Sequence, residues 1–213
     1  MTPSKIAVDI DDTLYSFSEA ARKCMREWPL EERHIFARAA EEPWTEWNSV
    51  NPLCDNRFLE VIDKVHSPQS ILAQKPFPHA VQVLQRLSAE GHELVYISSR
   101  ADETHGPTWE WILQEGFPTE DYEFIVTFRD KVPLLGDTRY IFDDRVKTLV
   151  EFVFDRQWQE SHPESPRLAF AIKNDLNCGL SDVPGIHLAR DWFHLEELLK
   201  EHTDLLTEAD HHE

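Results

Sequence analysis

Along the chain, short apolar runs alternate with longer segments whose apolar residues recur at helical spacing. The runs predict buried strands at residues 6–9, 93–98, 123–127, 140–143 and 168–172. Ala80, Val81, Val83, Leu84 and Leu87 form a stripe at i, i+3/i+4 that stops at Glu90-Gly91. Trp109, Ile112 and Leu113 repeat the stripe before Gly116, and residues 193–206 supply an amphipathic C-terminal helix. Strands alternating with helices predict parallel βαβ units, and so an α/β, Rossmann-like open parallel sheet with helices on both faces. Ligands of such sheets bind beyond the C-terminal strand ends, near the point where strand order reverses. Chemistry is therefore sought immediately after each apolar run.

One interval breaks this rhythm. Residues 15–76 separate the first strand from the helix leading to the second, too long for a simple crossover. Helix-like stretches at 19–28, 31–41 and 57–65 and the aromatics Trp28, Phe36, Trp44 and Trp47 predict a small helical cap inserted after the first strand. The core domain would then comprise residues 1–14 and 77–213. The competing organisation is an extended first crossover packed on the sheet face. The acidic residues 208–213 read as a frayed end.

Composition narrows the function classes. With 40 acidic against 21 basic residues the 213-residue chain carries a formal charge of −19, which disfavours a nucleic-acid duplex or an anionic membrane as partner. The same chain is 41% hydrophobic with seven Trp and twelve Phe, enough material for a core and not the composition of a disordered protein. The apolar run at residues 6–8 is too short for a signal-peptide core, and no run approaches a membrane span. Cys24, Cys54 and Cys178 are dispersed, without C-x-x-C spacing, as expected of free thiols in a reducing, cytoplasmic compartment.

The first strand ends in Asp9-Ile10-Asp11-Asp12-Thr13. Three carboxylates in four positions repel one another unless a cation sits among them; taken alone, they also suit a solvated turn or a helix cap. A second acidic pair, Asp143-Asp144, ends another predicted strand, and in a parallel sheet both clusters fall at the same edge. Hard carboxylate oxygens converging there suit Mg²⁺, which keeps waters that a phosphate displaces. Ser98-Ser99-Arg100 follows the second strand and offers hydroxyls and N–H groups to phosphate oxygens; Lys131 lies just beyond the third. Each has an ordinary explanation as a turn or surface residue, but all fall in order at strand ends.

In that order, Asp9-x-Asp11-x-Thr13, Ser98, Lys131 and Asp143-Asp144 resemble the four-motif signature of haloacid dehalogenase-like (HAD) phosphohydrolases, over residues 5–149. Phe77-Pro78-His79-Ala80, Ser98-Ser99-Arg100 and the stretch from Trp109 to Pro118 resemble the branch of 5′(3′)-deoxyribonucleotidases. The resemblance implies Asp9 as nucleophile, forming an aspartyl-phosphate, and Asp11 as general acid and then base. It implies Mg²⁺ held by Asp9, the backbone carbonyl of Asp11 and Asp143, with Asp144 acting through water or orienting Lys131. Thr13, Ser98, Ser99 and Lys131 would bind the phosphoryl group, with Thr13 also bracing the loop. An acid two residues beyond the nucleophile argues for turnover by water rather than dehalogenation or a long-lived phosphoenzyme.

Specificity is expected from the insertion. Trp44 and Trp47, with Glu46 and Asn48 nearby, would present a stacking face and hydrogen bonds to a base, or else form the cap's own core. The eleven histidines show no ligand-like spacing and receive no catalytic role. The leading expectation is a Mg²⁺-dependent phosphatase of a small phosphorylated metabolite, with a nucleoside monophosphate first. A sugar phosphate, a polynucleotide 3′-phosphate end and a non-catalytic phosphate- or partner-binding module are the alternatives.

Overall fold

The computed structural model describes residues 3–119, 122–127 and 129–209. Phe128, from the stretch preceding Lys131, and residues 210–213 of the acidic tail lie outside them.

Among the described residues six strands form one sheet: β1 (Lys5–Val8), β2 (Glu93–Ser98), β3 (Tyr122–Val126), β4 (Tyr140–Phe142), β5 (Leu168–Ile172) and β6 (Ile186–Ala189). All pairings are parallel, in the order β3-β2-β1-β4-β5-β6. The expected α/β architecture is therefore present. The sequence reading missed β6, whose four residues Ile186-His187-Leu188-Ala189 interrupt the apolar pattern with a histidine.

Strand order reverses between β1 and β4, so the crevice that such sheets use for ligands opens where these two strands end. Register places it: Val8 pairs with Phe142, and the next residues are Asp9 and Asp143. The two acidic motifs, more than a hundred residues apart, become neighbours through one strand pairing.

Between β1 and β2 run the helices α1 (Phe17–Arg26), α2 (Arg33–Glu41), α3 (Trp47–Leu53), α4 (Phe58–Val65), α5 (Pro68–Ala73) and α6 (Ala80–Ala89). α1 starts at Ser16, whose hydroxyl caps the Glu19 N–H, and buries Phe17, Ala21 and Met25 at i, i+4 and i+8. Trp28 and Phe36 meet at 4.4 Å between ring centroids, and Trp44 meets Phe58 edge-on at 5.7 Å. These aromatics belong to one apolar cluster that continues to Val8 and Phe142 in the sheet and Leu84 on α6. α3 and α5, absent from the sequence reading, are one to two turns long and carry Pro52 and Pro68, so periodicity has little length to register.

Beyond β2 come α7 (His105–Gln114), α8 (Val146–Val153), α9 (Arg156–Ser161) and α10 (Trp192–Ala209). α10 carries helix through Ala209, so residues 208 and 209 of the expected frayed end are helical. α9 is capped by Asp155, which accepts from the N–H groups of Gln157 and Trp158, a signal present in the sequence but not followed by an apolar stripe.

Candidate active site

The loop after β1 is built by short-range bonds. Thr13 and Leu14 N–H groups both return to the Ile10 carbonyl, and Asp12 adopts a left-handed φ of 56°, a conformation an aspartate tolerates better than most residues. The Asp12 carboxylate accepts from the Ser18 N–H at 2.9 Å and from its hydroxyl at 2.9 Å, tying the loop to the start of α1. Burial lifts its carboxyl to about 6.

Asp9 is buried at the end of β1 and fixed through its N–H to the Phe142 carbonyl at 2.8 Å. The Lys131 ammonium donates to one Asp9 oxygen, and the Thr13 hydroxyl to the other at 3.2 Å. Lys131 also donates to Asp143 at 2.8 Å. Burial raises the Asp9 carboxyl to about 7; Asp143 and Asp11 add to the rise and Lys131 opposes it. For Lys131 burial works against the charge, but Asp143 and Asp9 outweigh it and hold the ammonium above its ordinary range.

Asp143 accepts from the Arg145 N–H at 2.8 Å. Asp144 is buried, one of its carboxylate oxygens has no partner, and its carboxyl is held well above the usual range by burial and by the charges of Asp12, Asp9 and Asp143. One oxygen from each of Asp9, Asp143 and Asp144 lies within 4.8 Å of the others. Three buried carboxylates against one ammonium leave excess negative charge, and the unsatisfied Asp144 oxygen is the sharpest expression of it. This all-oxygen donor set fits a small hard divalent cation such as Mg²⁺.

Asp11 is turned elsewhere. Arg100 grips its carboxylate with Nε and Nη2, both at 2.8 Å, while the Tyr15 hydroxyl donates at 2.6 Å and His66 Nε2 lies 3.3 Å away. Burial pushes its carboxyl up, but the charge and hydrogen bonds of Arg100, with His66, hold it well below the usual range. The Asp11 side chain is thus not part of the three-carboxylate cluster, for which the resemblance implies only its backbone carbonyl.

A cavity of about 360 Å³ opens over these groups. Asp9, Asp11, Lys131, Asp144 and Ser99 form its polar end; Phe17, Trp47, Phe58 and Ile62 form an apolar wall, and Asn48 and Arg145 add polar groups. Trp47 contacts Phe17 at 5.1 Å and stacks on Phe58 at 5.9 Å.

Four expectations change here. Trp44 does not reach the cavity: it is 3% exposed, and its indole N–H donates to the Ala39 carbonyl at 2.8 Å. Of the tryptophan pair only Trp47 faces the site. Ser98 is wholly buried and its hydroxyl donates to Asp11 at 3.4 Å, leaving Ser99 as the serine that lines the cavity. The Thr13 hydroxyl is directed to Asp9, the bracing role rather than the phosphate-binding one. His66, given no role from sequence, lines the cavity beside Asp11. It follows the end of α4 and stands 55 residues from Asp11, so no spacing rule pointed to it. Arg100 and Tyr15 were likewise missed as partners of Asp11; the nearest signal was Arg100 inside the Ser98-Ser99-Arg100 run.

A parallel sheet of this order, with an Asp-x-Asp loop after β1, a buried lysine bridging to the acidic pair after β4, and helices inserted behind the first strand, defines a haloacid dehalogenase-like phosphohydrolase. Residues 3–159 match the family described as 5′ nucleotidase, deoxy (pyrimidine), cytosolic type C protein, and the chain belongs to that family. A Bacillus cereus protein named "Putative nucleotidase" is 28% identical over 163 residues, spanning 68% of this chain and 78% of that one. The solved haloacid dehalogenase-like family hydrolase of Xanthomonas campestris superposes with a TM-score of 0.54 at 12% identity, over 97% of this chain and 98% of that one. A "putative haloacid dehalogenase-like hydrolase" of Burkholderia xenovorans LB400 gives 0.56 at 15% identity, over 93% and 97%. These structures share the fold.

Proposed function

We propose that this enzyme hydrolyses small 5′-nucleoside monophosphates through an aspartyl-phosphate on Asp9, with Mg²⁺ as cofactor. The observation that carries the reading is one cavity joining the Asp9–Lys131–Asp144 end to the Trp47–Phe58 aromatic wall. A phosphate has its counter-charge in this cavity, and a base has a stacking face and the Asn48 and Arg145 polar groups in the same lining. The family description and the name of the Bacillus cereus relative support a nucleotide over a sugar phosphate.

Asp9 would attack phosphorus in line, held by the Thr13 hydroxyl and the Lys131 ammonium. Lys131 balances charge on Asp9 and on the incoming phosphoryl oxygens, and Ser99 offers its hydroxyl at the same end of the cavity. Asp11 would protonate the departing 5′-oxygen and then take a proton from the water that cleaves the aspartyl-phosphate. Asp9, Asp143 and Asp144 would hold Mg²⁺, which when bound neutralises charge developing on the phosphoryl group. Residues 15–76 would act as a cap that excludes water from the reaction.

The chain has no described helix long and apolar enough to cross a membrane, and its three cysteines are free. Both accord with a cytoplasmic enzyme. A panel of nucleoside monophosphates and sugar phosphates, assayed with Mg²⁺ and with chelator, tests the substrate class and the metal. Asp9→Asn tests the nucleophile: loss of at least a thousandfold in kcat is expected, and wild-type turnover by that variant rejects the mechanism.

A further inference from the structure

The seat of Asp11 is more elaborate than a general acid needs for burial alone. Arg100 is 1% exposed and spends its rigid fork on Asp11, while its remaining terminal nitrogen donates to Thr108 at 2.6 Å and Nη2 also reaches the Tyr15 hydroxyl at 3.1 Å. A bidentate guanidinium fixes the plane of a carboxylate as well as its position. As a device for stability a buried ion pair is a poor choice, because desolvation consumes most of what attraction supplies.

The partners come from separate elements of the fold. Thr108 lies on α7, whose Trp111 indole holds the Gln74 carbonyl at 3.0 Å. Gln114, at the end of the same helix, holds the Leu72 carbonyl at 3.2 Å. Arg100 is therefore anchored on the helix that grips the chain as it leaves α5. Tyr15 stands where the chain enters the inserted helices, and His66 is contributed by them.

We propose that Arg100, braced by Thr108 and Tyr15, is the positioning residue for Asp11, setting its carboxylate where a proton passes to the leaving oxygen. The inference rests on the mechanism proposed above. In the first step the Asp9–phosphorus bond forms, the bond from phosphorus to the ester oxygen breaks, and that oxygen takes a proton from Asp11, which is ionised against Arg100 in the free protein and gains that proton as the anionic phosphate enters. In the second, water attacks phosphorus, Asp11 takes its proton back, and Asp9 and inorganic phosphate are released. Arg100 is buried and is not among the residues lining the cavity; it acts through Asp11.

The test compares kcat/KM, which reports events up to leaving-group departure, on two esters in the presence of Mg²⁺. A nucleoside 5′-monophosphate expels an alkoxide that needs a proton; 4-nitrophenyl phosphate expels a stable anion that does not. Arg100→Lys keeps the charge but loses the fork, and is expected to lose at least tenfold more on the nucleotide than on the aryl ester. Tyr15→Phe keeps the packing and removes one hydroxyl, and is expected to shift the ratio in the same direction by about threefold, so it carries the test if Arg100→Lys does not fold. Equal losses on both esters, or no loss, in folded variants overturn the proposal. Asp9→Asn assayed in parallel separates the two levels. If it is inactive while the Arg100 ratio is unchanged, only the positioning role fails; if it is fully active, the underlying mechanism fails.

Discussion

Lys131 donates to Asp143 at 2.8 Å while holding Asp9, the proposed nucleophile, with the same ammonium, so one buried cation ties the ends of β1 and β4 together. Removing it leaves two buried carboxylates without their counter-charge. Lys131→Met is expected to lower stability by about 3–5 kcal/mol, read as a fall in thermal midpoint, and to cut kcat by about 10²–10³-fold. Mg²⁺ should restore part of the lost midpoint, since it supplies charge to the same oxygens. A variant as stable as wild type in the absence of metal contradicts this account.

Asp144 carries the complementary expectation. Its unpartnered oxygen sits among Asp9, Asp12 and Asp143, so without metal the charge is a burden. Asp144→Asn should raise the metal-free thermal midpoint, by the equivalent of about 1–3 kcal/mol, and abolish most of the rise that Mg²⁺ gives the wild type. Thermal denaturation of both proteins with and without Mg²⁺ reads both effects. An unchanged Mg²⁺ increment in the variant removes Asp144 from the metal site.

The neighbouring tryptophans should separate cleanly. Trp44 is buried among the inserted helices, and Trp44→Ala is expected to cost about 3–5 kcal/mol of stability. Trp47 lines the cavity, and Trp47→Ala should weaken nucleotide binding by about 1–3 kcal/mol, a rise in KM of roughly 5- to 150-fold, with a smaller effect on stability. The same substitution should leave KM for a compact phosphate ester without a base little changed. Comparing KM for the two substrates decides whether Trp47 stacks on a base.

His187 predicts an acid limit away from the active site. It lies against Phe170 at 5.1 Å and His202 at 3.8 Å, and its Nε2 is buried without a partner. Burial first, and His202 second, lower its value from 6.5 to about 4. The unfolded chain therefore binds more protons than the folded one between these values. The contribution of neutral His187 is complete above about pH 6.5 and is lost as pH falls towards 4. His187→Phe should flatten the stability profile in that window in denaturant titrations; an unchanged slope places the titrating group elsewhere.

What the sequence by itself determined is the part of the protein written locally. Apolar runs closing on Asp9, Ser98 and Asp143 revealed the strands and their functional ends, because a strand and the residue following it are contiguous. Once the sheet is parallel, those ends must share an edge, so the acidic cluster and the lysine beside it were legible in the sequence. The tertiary structure decided which side chains meet across long separations. Asp11 finds Arg100 across 89 residues, Ser98 across 87 and His66 across 55, through the packing of the inserted helices and α7 and not through any spacing rule. It also decided between Trp44 and Trp47. Three positions apart, both read alike as a stacking face or as core, yet Pro43-Trp44 precedes α3 and turns inward to Ala39, while Trp47 begins α3 and faces the cavity. A side chain's direction depends on the element it stands on, and in a layer of one- and two-turn helices that is settled by packing.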